Sequence, residues 1–219
     1  MRKLLKFFLK TDLPILRRPY QKLIRFKNGI DLGIYLTWRC NCKCSYCPVP
    51  IKMASNFDSK ELTSVNFYHF IKNFPIKIRQ ITLSGGEPTL KEGLSLLINN
   101  LLNDGYFVGI FTNMLNPKIF DEIKPSPRFM ITTNYHVNLK KEIFLKNVRE
   151  SKHQILIGEF EGQSNLSSKF KKRKLLFNNE FDTIYRNTLF IDPYGRIFTT
   201  CFGAIKANKI TYENTLHKP

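Results

Sequence analysis

The 219-residue chain is 42 % hydrophobic, carries nineteen phenylalanines, and sets 35 Lys and Arg against 17 Asp and Glu, for a formal net charge of +18 and a sequence pI near 9.8. That hydrophobic content excludes a disordered chain, and the length suits one domain with a substantial, aromatic-rich core, or one domain with a short appendage. Four of the five cysteines fall between Cys40 and Cys47, a crowding unsuited to a disulfide framework. It points to a reducing, cytoplasmic setting in which thiolates stay available to metal.

The positive field would draw phosphates, anionic lipid headgroups or an acidic protein. Its charges are scattered through nearly every polar segment rather than gathered on one recognition helix, so nucleic acid is not the expected partner. At the start, Lys6 and Lys10 break the apolar run of Leu4, Leu5, Phe7, Phe8 and Leu9. Residues 1–10 therefore fail as a signal peptide and are too short to span a bilayer. As a basic amphipathic turn they would touch a membrane surface only weakly, and capping one end of the fold is the preferred reading. Pro14 and Pro19 interrupt regular structure, Asn28-Gly29 signals a turn, and residues 1–29 read as a basic N-terminal extension.

Ile30 to Trp38 is a β-branched and aromatic run that predicts a buried strand, with the cysteines in the loop at its C-terminal end. Pro48 and Pro50 stop that loop. Asp58 followed by Glu61 predicts a helix start, with Asp58 as N-cap in a capping-box variant and Leu62, Val65, Phe67 or Tyr68, and Ile71 facing inward.

The unit then repeats. Strands are expected at 79–84, 106–112, 128–134 and 154–160, and helices at 92–102, 118–123, 140–151 and 166–177. A final strand is expected near 183–191, and a β-hairpin turning at Asp192-Pro-Tyr-Gly195 closes the pattern. Alternating strands and helices imply right-handed crossovers and a parallel sheet. Five units and a last strand fit a partial barrel better than a complete one of eight. The expected division is 1–29 extension, 30–188 core and 189–219 hairpin and tail.

In parallel α/β architectures the chemistry gathers at the C-terminal strand ends. The residues expected there are the cysteine loop, Ser84-Gly-Gly-Glu87, Thr112-Asn113, Thr133-Asn134-Tyr135-His136 and Gly158-Glu159, each polar or glycine after an apolar run. Cys40, Cys44 and Cys47 have the spacing C-x3-C-x2-C, which lets one short loop turn three thiolates toward a common centre. Soft thiolates select iron–sulfur clusters, zinc or Cu(I), and three ligands leave one coordination site open. Gly85 and Gly86 allow close backbone approach to a ligand, with Glu87 placed to accept from an ammonium.

C-x3-C-x2-C with an aromatic, Tyr46, before its last cysteine resembles the radical S-adenosylmethionine (radical SAM) enzymes. Some forty residues on, Gly85-Gly86-Glu87-Pro88 resembles the G-G-E-P segment those enzymes carry at the end of their second strand. The resemblance implies an α/β fold, an open (β/α)6 partial barrel flanked here by the N-terminal extension and the C-terminal β-hairpin. It also implies one [4Fe–4S] cluster on Cys40, Cys44 and Cys47, with S-adenosylmethionine chelated to the fourth iron. Reductive cleavage would then give a 5′-deoxyadenosyl radical that abstracts hydrogen from substrate. Glu87 would meet the methionyl amino group, and Tyr46, Gly85, Gly86, Asn113, Thr132, Asn134 and Ile157 are the expected nucleoside contacts. Asn113 matches the T-N step that closes the third strand in the family, although Met114 stands where glycine usually follows. An electron donor such as flavodoxin or ferredoxin is implied as partner.

Cys42 departs from the family pattern and is read as a non-ligand. Residues 189–203 resemble the opening of the SPASM or twitch extension, but the further cysteines are absent, so Cys201 reads as a buried remnant. His136, Tyr135, Glu159 and Glu161 are cavity candidates without an assigned role. The expected substrate is first a peptide or protein, then a nucleotide- or sugar-type compound or a phosphorylated small molecule. The competing readings are a zinc site completed by Cys42, Cys201 or a histidine, a non-catalytic basic metal-binding module that contacts nucleic acid, and a member of the family that binds its cofactors without turnover.

Overall fold

A computed structural model of the chain describes residues 29–44, 47, 49, 54–55, 58–135, 140–158, 188–200 and 203. The strands are β1 (Ile30–Tyr35), β2 (Ile78–Ser84), β3 (Phe107–Thr112), β4 (Phe129–Asn134), β5 (Gln154–Gly158), β6 (Thr188–Ile191) and β7 (Ile197–Phe198). The α-helices are α1 (Ser64–Lys72), α2 (Leu94–Asn103) and α3 (Lys141–Glu150), with 3-10 turns at Pro88–Leu90 and Pro117–Glu122. The expected basic extension and the helix expected at 166–177 lie outside the described residues.

The strands form one sheet in the order β5-β4-β3-β2-β1-β6-β7, parallel throughout except for the β6–β7 hairpin. A sheet of this kind needs a cover on the face that carries its apolar alternation. Ile30, Leu32 and Ile34 of β1, Ile81 and Leu83 of β2, Val108 and Ile110 of β3, and Ile131 of β4 point to that face. There they meet Phe67 and Ile71 of α1, and Leu94, Leu97, Ile98 and Leu101 of α2. The alternate residues Phe107, Phe111, Met130 and Leu156 are exposed among the described residues, on the opposite face.

Two local expectations change. Helix α1 begins at Ser64, six residues after the expected N-cap, because the Thr63 hydroxyl accepts from Asn66 N and caps the helix itself. Asp58 instead closes a turn, its carboxylate accepting from Lys60 N at 2.9 Å. Glu61, expected to complete a capping box, turns inward and is buried.

The last strand, β6, pairs with β1 rather than continuing past β5, with Gly33 opposite Phe190 and Ile34 opposite Ile191. The hairpin β6–β7 therefore extends the wall beside the cysteine loop. Its turn is held by Asp192, whose carboxylate accepts from Tyr194 N, Arg196 N and Arg196 Nε. It is docked on the chain ahead of α1 by Leu62 N to Pro193 O (2.7 Å) and Tyr194 Oη to Asp58 Oδ2 (2.8 Å).

Phe67 has no exposed surface and sits where α1 meets the sheet. Phe67→Ala should lower unfolding free energy by about 3–5 kcal/mol, from lost transfer plus an unfilled cavity. Chemical denaturation should show this as a lower midpoint at unchanged slope.

Candidate functional site

The parallel register brings the C-terminal ends of the strands to one edge, with Tyr35 opposite Ser84, Thr112 opposite Thr133 and Asn134 opposite Gly158. The two sequence motifs meet there through their backbones. Gly86 N donates to Thr37 O at 2.8 Å and Glu87 N donates to Arg39 O at 2.7 Å, so the turn after β2 is laced to the chain leading into Cys40. Gly85 has φ +138°, and a Cβ there would collide with the Thr37 carbonyl; a Cβ on Gly86 would collide with the carbonyls of Trp38 and Arg39. The two glycines are thus required by the contact between the motifs themselves. That is a closer approach of chain to chain than the sequence suggested, and it needs no ligand.

Glu87 is buried at 1 % exposure and its carboxylate is fully engaged. Oε1 accepts from Thr89 N (3.1 Å), Thr89 Oγ1 (2.7 Å) and Thr112 Oγ1 (2.7 Å), while Oε2 accepts from Asn113 N (2.8 Å). Four donors satisfy a carboxylate group held away from water. In this arrangement Glu87 ties β2 to the end of β3.

Asn113 carries the tie onward. Its side-chain amide donates to Asn41 Oδ1 at 2.7 Å and to Cys42 Sγ at 3.3 Å, and its carbonyl oxygen accepts from Leu115 N. The following Met114 has φ +59°, the one positive φ at a non-glycine among the described residues. Its burial and the bonds from Met114 N to Thr112 Oγ1 and from Asn147 Nδ2 to Met114 O offset a conformation that glycine would adopt without strain.

Within the cysteine loop, Cys40 and Cys44 are half-buried, Cys47 is exposed and Cys42 is buried, all four as free thiols. The three members of C-x3-C-x2-C are half-buried or exposed residues, and the extra cysteine is the one turned inward to Asn113. This accessibility pattern and the soft, uncrosslinked donor set fit an iron–sulfur cluster held by Cys40, Cys44 and Cys47, with Cys42 outside the ligand set. Hydrogen bonding from Cys42 lowers the pKa of Cys40 to about 7 against the opposing effect of burial, the Cys42 backbone N–H contributing at 3.4 Å. The same contact, with burial, pushes Cys42 far up; burial also raises Cys47, and charges at Cys40 and Cys44 add to it. Among the described residues, no three histidine, cysteine or carboxylate side chains converge as a single-ion site.

Of the remaining candidates, Thr132 and Asn134 alternate with the core-facing Ile131 and Thr133, which puts them on the Phe111 face of the sheet. The Asn134 side chain lies across Gly158, its amide nitrogen donating to Gly158 O at 2.7 Å. Ile157 packs against the main core, so its side chain points away from that face and only its backbone reaches the edge. Tyr135 stacks edge-on against Phe144. Tyr46, His136, Glu159, Glu161 and Cys201 lie outside the described residues. Glu61, Lys91 and Thr37 were missed by sequence reasoning; a buried Glu was legible only as a helix cap.

A parallel α/β scaffold with a cysteine loop laced to a glycine turn at its C-terminal edge brings the two sequence motifs into one site. A family model described as the radical SAM superfamily matches residues 34–153, more than half of the chain, and the chain belongs to that superfamily. It is an enzyme by that membership, which implies S-adenosylmethionine and a [4Fe–4S] cluster. The chain is 28 % identical over 204 residues to the 7-carboxy-7-deazaguanine synthase of Clostridium acetobutylicum, covering 88 % of each. To the same-named enzyme of Haemophilus influenzae it is 30 % identical over 112 residues, covering 50 % of each, so the chain spans about half of that relative. The crystal structure of BtrN in complex with AdoMet and 2-DOIA shares the fold, with a TM-score of 0.50 at 15 % identity over 80 % of this chain and 74 % of that one. No helix among the described residues is long and apolar enough to cross a membrane.

In metal-free protein kept reduced, site-resolved alkylation should label Cys40 with a half-maximum near pH 7, and Cys42 should stay unlabelled. Cys42→Ala should move the Cys40 profile to higher pH, because the thiolate loses its donor; an unmoved profile would contradict the contact. Gly86→Ala, which drives a methyl into two carbonyls, should abolish the folded circular-dichroism spectrum or lower the melting temperature steeply.

Proposed function

We propose that this chain uses a [4Fe–4S] cluster, held by Cys40, Cys44 and Cys47, to cleave S-adenosylmethionine reductively and start hydrogen abstraction on a purine- or nucleotide-derived substrate. The observation that carries the proposal is the lacing of the cysteine loop to the Gly85–Glu87 turn by Glu87 N to Arg39 O at 2.7 Å, in a loop whose Cys40, Cys44 and Cys47 are half-buried or exposed free cysteines.

When bound, the cluster and S-adenosylmethionine supply the reducing electron and the 5′-deoxyadenosyl radical; the protein positions and shields them. Cys40, Cys44 and Cys47 would hold three irons and leave the fourth for the amino and carboxylate groups of the nucleoside. Glu87 fixes the turn after β2 and the end of β3 in one geometry, and Asn113 transmits that geometry to the loop through Asn41 and Cys42. Thr132, Asn134 and the backbone at Ile157, at the neighbouring strand ends, would contact ribose or base. Tyr46 and the backbone of Gly85 and Gly86 complete the proposed binding set. A flavodoxin- or ferredoxin-type protein would deliver the electron.

The purine or nucleotide class is supported by the alignment that runs over most of both chains, which is with a 7-carboxy-7-deazaguanine synthase. The net charge of +18 suits a phosphate or carboxylate on the substrate.

Anaerobically reconstituted protein should hold about four irons per chain and form 5′-deoxyadenosine from S-adenosylmethionine with dithionite. Cys40→Ala, Cys44→Ala and Cys47→Ala should each lose iron and product, while Cys42→Ala should keep its iron. A purine-type heterocycle should raise 5′-deoxyadenosine above the substrate-free background. If a peptide pool raises it and purines do not, the substrate class is a peptide; a fully loaded protein that forms none defeats the enzyme reading.

A further inference from the structure

Beneath the cysteine loop lies a buried ion pair that neither sequence motif contains. Glu61 arrives from the turn before α1 and Lys91 from the end of the 3-10 turn that follows Gly85-Gly86-Glu87-Pro88. Their side chains are 2 % and 8 % exposed, and Lys91 Nζ lies 3.5 Å from Glu61 Oε2. The Lys91 ammonium also sits 5.7 Å from the centre of the Phe67 ring. Burial pushes its pKa below the ordinary lysine range, with the Glu61 carboxylate opposing that shift.

The other carboxylate oxygen of Glu61 is aimed at the cysteine loop. Oε1 accepts from Trp38 N at 3.0 Å and from Thr37 Oγ1 at 3.1 Å. Thr37 Oγ1 in turn accepts from Arg39 N at 3.1 Å, and the Arg39 guanidinium donates to Leu90 O, next to Lys91, at 2.9 Å. Residues 37–39, which lead directly into Cys40, are therefore held from below by Glu61 and from the side by the segment that carries Lys91.

A buried pair is weak support for stability as such, since well-packed apolar residues of similar volume often do as well. Its distinctive property is geometric. A carboxylate with one oxygen on a lysine and the other on two donors of a loop fixes where that loop begins. An apolar substitute cannot do so.

We propose that Glu61 and Lys91 are positioning residues that set the approach of Cys40, and so the orientation of the cluster's open corner, relative to the Gly85–Glu87 turn. This rests on the cluster reading given above. It assigns Glu61 and Lys91 no contact with cofactor or substrate.

The test separates position from stability and from the cluster reading. Four variants are compared with wild type: Glu61→Gln, Lys91→Met, the double apolar exchange Glu61→Met with Lys91→Met, and the conservative Lys91→Arg. In metal-free, reduced protein, hydrogen exchange by mass spectrometry should show the amides of Trp38 and Arg39 and the 85–87 turn opening about tenfold faster in the first three, with α2 and β3 unchanged. The double apolar exchange should recover most of the melting temperature lost by Lys91→Met while leaving loop exchange fast, and Lys91→Arg should restore slow exchange.

In reconstituted protein the first three variants should keep wild-type iron. Their reduced-cluster electron paramagnetic resonance signal should lose the change that S-adenosylmethionine causes in wild type. Loop exchange restored by the double apolar exchange, or a full nucleoside-induced spectral change in all variants, overturns the positioning role. Wild-type protein that takes up no iron overturns the cluster reading instead, and the metal-free exchange experiment still decides the positioning of the loop.

Discussion

Two backbone hydrogen bonds, from Gly86 N to Thr37 O and from Glu87 N to Arg39 O, constrain this molecule more than any side-chain contact. They join two loops that follow adjacent parallel strands, and they form only if no Cβ stands between the chains. Two successive glycines satisfy that condition. The distance from the turn to the cysteine loop is then set by peptide geometry, which does not relax as a side chain would. Everything that the C-terminal edge can do chemically starts from that fixed separation.

Around this contact the protein spends buried polar groups in an ordered way. Glu87 is saturated by four donors and joins β2 to β3; Glu61 is shared between a lysine and the start of the cysteine loop; Asp192 closes the hairpin on Arg196. Each carboxylate is buried and each has partners, as the cost of desolvating a charge requires. The three lie at the strand ends and turns around the site, while the α1, α2 and sheet core beneath is apolar.

The thiol chemistry follows the same division. Cys40, Cys44 and Cys47 are half-buried or exposed, whereas the buried Cys42 accepts from Asn113, so neighbouring cysteines separate into ligand candidates and a structural residue. Residues 34–153 match the radical SAM superfamily model, and the chain shares its fold with BtrN.

Much of this was legible in the sequence because it is periodic or local. Strand positions followed from apolar alternation, parallel pairing from the alternation of strands with helices, and the three-cysteine set from spacing within eight residues. Met114 stood out by occupying the position where the family pattern has glycine, and its φ of +59° is in the region that glycine adopts without strain. What the sequence could not reveal was long-range. Asp58 and Glu61 satisfy a local capping pattern equally well, and only the competing partners Trp38 N, Thr37 Oγ1 and Lys91, 23 to 30 residues away, decided that Glu61 turns inward. Likewise Glu87 is an acid beside a glycine pair until the fold surrounds it with Thr89, Thr112 and Asn113, and the last strand pairs with β1 only because the sheet offers that edge. By itself the sequence determined which residues form strands and which sulfurs are ligand candidates, because those depend on neighbours in the chain. The tertiary structure alone decided which polar groups are buried and to whom they are bonded, because a desolvated charge takes its partners from wherever the fold brings them.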